Sequence, residues 1–241
     1  MTILCSMAAS GRWEPPVDTW IGPGVGLACA AGTELEAKPN GGRVTVNQKR
    51  TKQPSKTPRL SRENWIEGAI GMLAEGGVKS VEINVLAERM GVTKGSFYWH
   101  FESREDLLDA VIETWRRRTT SEIETFIRNR VGTPLGRLKR LIRIGMSPRP
   151  DVPGGALEMM LRDWGRRDPK VAAIMREVDV RRHSFVRELY KDVGLNDEQA
   201  DSFAFLHMSY TIGGRILMAD GDATTYEKGW KVGEEFLLPK I

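Results

Sequence analysis

A short run of side chains within residues 93–104 has the chemistry needed to contact nucleic acid. Lys94 can donate hydrogen bonds to O6 and N7 of guanine, and the Ser96 hydroxyl can donate or accept. Gly95 lies between them and removes a side chain where a backbone would approach the bases. By itself Lys94 could be an ordinary solvated lysine. Together with Thr93, these residues predict a surface that reads base edges.

The next residues extend this surface and anchor it. Tyr98 and His100 have polar tips on rigid rings, which suit the phosphate oxygens that flank a groove. Arg104 is the expected clamp on a further phosphate. Phe97 and Phe101 lie one helical turn apart, so both are predicted to be core residues. A Tyr-Trp-His run alone could equally cover a hydrophobic seam, but the common register of these features favours contact with DNA.

Helical periodicity places this run at the end of a three-helix unit. Ser61 is a suitable N-cap for a first helix, which Gly76-Gly77 ends. A second helix is predicted from Glu82 to Met90 and a third, capped by Thr93, to about His100. Gly91 supplies the positive φ of the turn between them, as in a helix-turn-helix. The first helix has five inward apolar residues: Trp65, Ile66, Ala69, Ile70 and Leu73.

The residues of this unit resemble those of a known family. The run GVTKGSFYWHF at 91–101, followed by REDLL at 104–108, closely resembles the TetR family of bacterial transcriptional regulators. The resemblance is strong from Ser61 to about Trp115 and implies a third helix that enters the major groove. It implies base contacts by Thr93, Lys94, Gly95 and Ser96 and phosphate or backbone contacts by Tyr98, Trp99 and His100. Glu82 departs from the family, which usually has Ser or Thr there.

The rest of the chain is predicted to be a second, all-helical domain. The fourth helix is expected to run from near Arg104 through Ile127 without a break. Further helices are predicted to start near Thr133-Pro134, Ala156, Asp168-Pro169, Asn196 and Ala223, with a proline-rich loop at Ser147 to Gly155. The predicted fold is therefore all-α: a helix-turn-helix DNA-binding domain at 59–104, then a helical ligand-binding and dimerisation domain at 105–241.

The resemblance implies an effector pocket and a dimer in the second domain. Large, adaptable side chains near the proline-rich loop predict the lining of the pocket: Met159, Met160, Trp164, Met175, Phe203 and His207. The last two helices are expected to form a four-helix bundle with a second copy. Their predicted contact residues are Phe203, Ala204, His207, Gly214, Tyr226, Trp230 and Phe236. Arg181-Arg182 is interpreted as a solvated face with local ion pairs.

Composition limits the other possibilities. The chain has 241 residues, a net charge of +4 and two cysteines, Cys5 and Cys29, which favours a reducing cytoplasm. No apolar run is long enough to span a membrane. No nucleotide loop, nucleophile elbow or HExxH motif is present, and no second His or Cys lies within a turn of His100. We therefore expect no enzyme activity, no cofactor and no metal.

Residues 1–58 are predicted to form a disordered basic leader. They contain seven glycines, six prolines and no lasting helical or strand period. A signal peptide, ending near Ala31, is a weaker alternative because Glu14, Pro15, Pro16 and Asp18 interrupt its apolar stretch. A downstream start of translation is a further alternative.

The sequence thus predicts a homodimeric, ligand-responsive repressor that binds a palindromic operator in double-stranded DNA. Its small-molecule effector is expected to be apolar or aromatic. Two alternatives stay open: an activator of the same fold, and a small-molecule-binding or protein-interaction module whose helix-turn-helix does not contact DNA.

Overall fold

The computed structural model describes residues 60–130, 132–146, 154–218 and 223–240. The predicted leader at 1–58 and most of the predicted proline-rich loop, residues 147–153, lie outside the described residues. The described part contains helices and no strand, so the all-α prediction is confirmed. Its elements, in order, are α1 (Arg62–Gly76), a 3₁₀ helix (Val78–Ser80), α2 (Ile83–Arg89), α3 (Lys94–Phe97), α4 (Arg104–Thr119), α5 (Ser121–Arg128), α6 (Pro134–Met146), α7 (Gly154–Gly165), α8 (Pro169–Asp192), α9 (Asp197–Leu217) and α10 (Ala223–Leu237).

Side-chain caps define the starts of several helices. The Ser61 side chain accepts from the amide of Asn64, whose side chain accepts from the amide of Ser61 in return. Asn196 opens α9 with the same reciprocal arrangement. The Asp168 carboxylate accepts from the first amides of α8. These caps explain why helix starts were predictable from sequence, since each satisfies amides that have no partner within the helix.

The predicted long fourth helix is wrong, because the helix breaks at Thr120. There the backbone leaves the helical region, with φ −123° and ψ −90°, and α5 restarts at Ser121. The Thr119 hydroxyl donates to the carbonyl of Trp115 at 2.8 Å, and that of Thr120 donates to the carbonyl of Arg116 at 2.7 Å. Such side-chain bonds back to the preceding turn compete with helix propagation, and two in succession favour an end.

The described residues form two hydrophobic cores. The first joins α1, α2, α3 and α4 to α7 and the beginning of α8, with Trp65, Leu73, Phe97 and Leu107 fully buried. The second lies among α5, α6, α9 and the end of α8, around Ile127, Leu138 and Tyr190. The core of the helix-turn-helix therefore continues into the following helices and does not end near residue 104.

No helix in the described ranges is long and apolar enough to cross a membrane.

Candidate nucleic-acid interface and buried cavity

Buried aromatic rings fix α3 on the unit formed by α1 to α3, which we call the head. Phe97 is fully buried, and its ring meets the Trp65 ring edge-on and the Phe101 ring in a stack, each with 5.4 Å between centroids. Gly91 has a φ of +66°, so the predicted left-handed turn before α3 is confirmed. The expectation that Phe97 and Phe101 are core residues is confirmed as well.

The third helix is shorter than predicted. It ends at Phe97, and residues 98–100 continue as turns in which the His100 amide donates to the Phe97 carbonyl at 2.9 Å. Thr93 occupies the N-cap position, but its side chain makes no capping hydrogen bond. Gly95 in the middle of so short a helix lowers its intrinsic stability, so packing of Phe97 must maintain it.

The predicted contact residues lie on an accessible surface. Thr93, Lys94 and Gly95 are exposed and Ser96 and His100 are half-buried. Tyr98 is 54% exposed and Trp99 is 87% exposed, although both are large rings. The Ser96 hydroxyl donates to the Thr93 carbonyl at 2.8 Å, which leaves its oxygen as an acceptor. An exposed tryptophan beside a lysine at the start of α3 is a surface that a polyanion could cover.

The structure gives Arg104 other partners than the predicted phosphate. Its Nε donates to the Val81 carbonyl at 2.6 Å and another guanidinium nitrogen donates to the Val78 carbonyl. Two residues of the link between α1 and α2 are thereby tied to the start of α4. These bonds use two of the five guanidinium N–H donors, so Arg104 braces the link between α1 and α2, and its contact with a phosphate stays a prediction.

A cavity of about 70 Å³ lies among α5, α6, α7, α8 and α9. Its apolar lining comprises Ile123, Leu141, Ile144, Phe185, Val186, Met208 and Ile212. Its polar lining comprises Thr119, Thr120, Glu124, Glu158, Arg182, His207, Thr211 and Arg215. The cavity therefore adjoins the break between α4 and α5.

A buried ion cluster forms one wall of this cavity. Glu158 is only 3% exposed, and its Oε1 accepts from Arg162 at 2.7 Å and from Arg182 at 2.9 Å. Burial by itself would raise the pKa of Glu158, but the charges of Arg182, Arg215 and Arg162 lower it to about 2. The carboxylate is therefore ionised near neutral pH. The solvated interpretation of Arg182 is wrong, whereas Arg181 pairs with Glu124 at 2.8 Å near the surface.

His207 and Tyr190 form a second polar group, on another side of the cavity. The Tyr190 hydroxyl lies 2.9 Å from the Leu237 carbonyl and 3.2 Å from Nδ1 of His207. Burial lowers the pKa of His207 to about 4 and raises the pKa of Tyr190. At neutral pH, both side chains are therefore uncharged.

Comparison with known proteins agrees with the geometry of the head. Residues 66–111 match the sequence model of the family described as bacterial regulatory proteins, tetR family. This part of the chain is therefore similar to the tetR family. The match begins within α1, includes α2 and α3 with the exposed residues described above, and ends within α4.

Curated relatives match less than half of the chain. An uncharacterised HTH-type transcriptional regulator of Mycobacterium tuberculosis is 39% identical over 97 residues, which cover 40% of this chain and 42% of that protein. The class C tetracycline repressor of Escherichia coli is 40% identical over 55 residues, 23% of this chain and 25% of the repressor. The chain thus aligns with less than half the length of these relatives.

Solved structures extend the likeness to the fold of the second part. A regulator from Saccharomonospora viridis in complex with choline has a TM-score of 0.63 at 18% identity, over 75% of this chain and 96% of that one. A TetR transcriptional regulator from Chloroflexus aurantiacus has a TM-score of 0.60 at 20% identity, over 73% and 93% of the two chains. At these identities the likeness establishes a shared fold.

The structure does not bring the six predicted pocket residues together. Of these six residues, only His207 lines the cavity. Three of them pack against the core beneath the head: Met160, Trp164 and Met175. Met159 is 44% exposed, and the Phe203 ring packs on Tyr190 with 5.2 Å between centroids. Five of the six predicted residues therefore do not line this cavity. The reason is that methionine and aromatic content does not show which neighbouring helix a face contacts.

Polar residues of the cavity were missed by the sequence reasoning. Glu158 follows the buried Leu157 and precedes the buried Leu161 by three residues, so an acid lies beside the apolar stripe of α7. That position is a signal for a buried ion pair. Thr119 and Thr120 offered a second signal, because consecutive threonines are poor helix formers. Arg182, 24 residues from Glu158, could not be paired with it from sequence alone.

The last two helices expose an apolar face that includes Phe236 of the predicted contact residues but not Ala204, His207 or Gly214. Ala204 and His207 are buried within the protomer, and a Cβ on Gly214 would lie 2.7 Å from Cε of Met146. These three residues therefore pack inward. The exposed apolar residues of α9 and α10 are Phe205 (65%), Leu206 (53%), Leu217 (87%), Val232 (42%) and Phe236 (70%), which we call the outer face.

Proposed function

We propose that this chain is a ligand-responsive transcriptional repressor that binds a palindromic operator as a homodimer. The observation that carries the proposal is the exposed row at the start and end of α3, where Lys94, Tyr98 and Trp99 project from a rigidly packed head. A large ring with no role in the protomer core, beside a lysine, favours contact with a partner. The tetR-family match makes double-stranded DNA that partner.

Each residue of the row has a distinct task in this proposal. Lys94 donates to guanine in the major groove, and Ser96 accepts from a base because its own proton is engaged. Thr93 and Gly95 allow the start of α3 to approach the bases. Tyr98, Trp99 and His100 hold the phosphate backbone and set the register. Arg104 keeps the link between α1 and α2 in place.

The outer face supports the homodimeric part of the proposal. A monomer rarely exposes so many large apolar side chains on two adjacent helices, since their burial stabilises association by about 25 cal/mol per Å². A second copy that presents the same face would cover it through a twofold axis. Two heads related by that axis would contact half-sites one helical turn, or a multiple of it, apart.

The cavity is the proposed effector site. Its apolar lining with a few polar groups fits a small ligand, and Thr119 and Thr120 lie at the end of the helix that starts in the head. At about 70 Å³ it is smaller than the usual ligand pocket, so a ligand of ordinary size must move the lining outward. Such a ligand releases DNA only if it binds one of two conformations of the dimer, which differ in the spacing of the heads, better than the other.

Selection of bound sequences from random DNA, followed by footprinting and salt titration, tests the proposal. We expect a palindromic site with dyad symmetry and an affinity that falls as salt rises. Replacing Lys94 with Ala should cost about 1–3 kcal/mol and relax base preference, and Trp99→Ala should weaken all sequences alike. Lys139→Ala removes an exposed lysine from α6 and is the matched control, with little effect expected.

The same measurements separate the alternatives. Binding without sequence preference, or none, would favour a small-molecule-binding or protein-interaction module and contradict the proposed operator. A footprint without dyad symmetry would contradict the homodimer on DNA. A reporter placed behind the selected site then distinguishes a repressor from an activator by the sign of its response.

A further inference from the structure

The hydrogen bonds of Tyr190 determine which nitrogen of His207 carries the proton. The Leu237 carbonyl, 2.9 Å from the Tyr190 hydroxyl, can only accept, so the single phenolic proton is directed there. The remaining contact of the hydroxyl oxygen, 3.2 Å from Nδ1 of His207, then requires Nδ1 to be the donor. Burial keeps the imidazole neutral near pH 7, so Nε2 carries a lone pair and no proton.

The position of His207 favours a lone pair on the cavity side of the ring. His207 lines the cavity and Tyr190 does not, so the ring edge away from the Tyr190 hydroxyl is the one we assign to the cavity. In the described part of the chain no protein group donates a hydrogen bond to Nε2. An acceptor within a largely apolar lining selects for a ligand that brings a donor, because a buried polar group without a partner costs free energy.

Thr211 adds a complementary group on the same helix. It lies four residues after His207 in α9, hence on the same side of the helix, and it also lines the cavity. Its hydroxyl is buried and has no hydrogen-bond partner among the described residues. A hydroxyl can donate as well as accept, so this group can satisfy a ligand oxygen whose own proton is directed at His207.

We propose that the cavity recognises a compact apolar molecule that bears a hydroxyl group, an alcohol or a phenol. The ligand hydroxyl donates to Nε2 of His207 and accepts from the hydroxyl of Thr211, while Phe185, Val186 and Met208 contact its apolar body. The buried Glu158 remains neutralised by its arginines and is not a ligand contact. This inference deepens the proposed function, because it rests on the cavity being the effector site.

The first test uses the full chain without DNA. Nitrogen-15 NMR of the three histidines should show His207 protonated at Nδ1, and His207→Phe identifies its signals. Phenol should then shift the Nε2 resonance of His207 at millimolar concentration, whereas anisole, its methyl ether, should not. We expect phenol to bind about tenfold more tightly than anisole, the value of one hydrogen bond to a buried acceptor.

Variants assign that preference to the two residues. Thr211→Val keeps the shape of the side chain and should reduce the preference for phenol several-fold, and His207→Phe should abolish it. His207→Gln restores an acceptor and should recover part of it, while Lys139→Ala, a change at an exposed residue of α6 that does not line the cavity, should leave the ratio unchanged. If His207→Phe unfolds, the Thr211 variant and the tautomer measurement still decide.

Several results would overturn this inference. These are a proton on Nε2 in the free protein, equal affinities for phenol and anisole, a phenol titration that leaves His207 unmoved, or no binding by either phenol or cyclohexanol. Operator release is measured separately. Phenol binding at His207 without any release of DNA would contradict the effector role and leave the recognition of a hydroxyl group standing.

Discussion

Trp99 and Arg104 illustrate how exposure and hydrogen bonding distinguish a residue that can contact DNA from one that stabilises the head. Trp99 has most of its ring in solvent and contributes little to the protomer core. Arg104 has the charge expected of a phosphate contact, but two of its nitrogens are held by backbone carbonyls of the link between α1 and α2. A charge-assisted bond from a partly buried guanidinium to a backbone carbonyl is worth more to folding than a solvated surface contact.

Replacement of Arg104 by Ala should therefore destabilise the chain. We expect a loss of about 1–3 kcal/mol in the free energy of unfolding, because the Val78 and Val81 carbonyls lose their donors. Urea denaturation measures the change. Arg89→Ala is the control in the same head, since its exposed pair with Glu75 is worth less than about 1 kcal/mol. Unchanged stability with a smaller salt slope of DNA binding would restore the phosphate role.

His207 should make stability depend on pH. Burial lowers its folded-state pKa from 6.5 to about 4, so between these values the unfolded chain binds a proton that the folded chain does not. Stability contributed by the neutral ring is complete above about pH 6.5 and is lost as pH falls toward 4, by at most about 1.4 kcal/mol per pH unit.

Urea denaturation at pH 7 and pH 5 checks this dependence. The wild-type chain should lose more stability over this interval than His207→Phe, which has no group to protonate. His100→Asn, a change at a half-buried histidine of the head, should behave like the wild type. Equal pH dependence of the wild type and the His207 variant would show that the ring is not held neutral by burial.

Among the elements, α7 and α9 are in close backbone contact at Gly155. A Cβ built on Gly155 would lie 2.2 Å from the carbonyl oxygen of Arg215 and 2.8 Å from the amide nitrogen of Ile216. Both contacts are with backbone atoms, which cannot rotate away. The cavity lies beside this contact, so the separation of the two helices also determines its width.

The change Gly155→Ala should separate these helices. We expect the unfolding free energy to fall by about 1–3 kcal/mol, as for other additions of a methyl group to a packed core, with a wider cavity. Gly71→Ala is the matched control within α1, where a Cβ meets nothing within 4 Å and should stabilise the helix by up to about 1 kcal/mol. Thermal melts of both variants test the contrast, and equal shifts would contradict the close contact.

For the whole molecule, the continuity of the first core and the outer face have different consequences. Leu157, Leu161 and Met175 belong to the same core as Phe97 and Leu107, so the head is not packed as a separate unit. This continuity favours a cooperative response of the head to changes near α7 and α8. The outer face, in contrast, is exposed in the described part of the chain, and in the proposed dimer a second copy would bury it.

A charge on the outer face should weaken the dimer. Leu206→Glu and Phe236→Glu should each raise the dissociation constant at least about tenfold, because a carboxylate in an apolar interface lacks a partner. Sedimentation equilibrium at micromolar concentration measures it. Val180→Glu alters an exposed apolar residue of α8 and should leave the constant unchanged. A wild-type chain that sediments as a monomer would contradict the proposed dimer.

Local features of the sequence were sufficient to determine the head and most helix starts. The caps at Ser61 and Asn196, the turn at Gly91 and the spacing of Phe97 and Phe101 act over a few residues, and each was found as predicted. These features are predictable because their partners lie within one or two helical turns. The break at Thr120 is also local, because its hydroxyl competes with the helix for a backbone carbonyl. It was not predicted, since the apolar period continues on both sides of it and indicates one helix.

Only the tertiary structure decided the partners that are distant in sequence. Arg104 reaches Val78 across 26 residues, Glu158 meets Arg182 across 24, and Tyr190 reaches Leu237 across 47. A helical period predicts which side of a helix is buried, but not which neighbour it meets or how far the two axes stand apart. How each helix is rotated about its axis and how far it lies from its neighbours are determined only when the whole chain packs. The cavity, the tautomer of His207 and the residues of the outer face all depend on these rotations and distances.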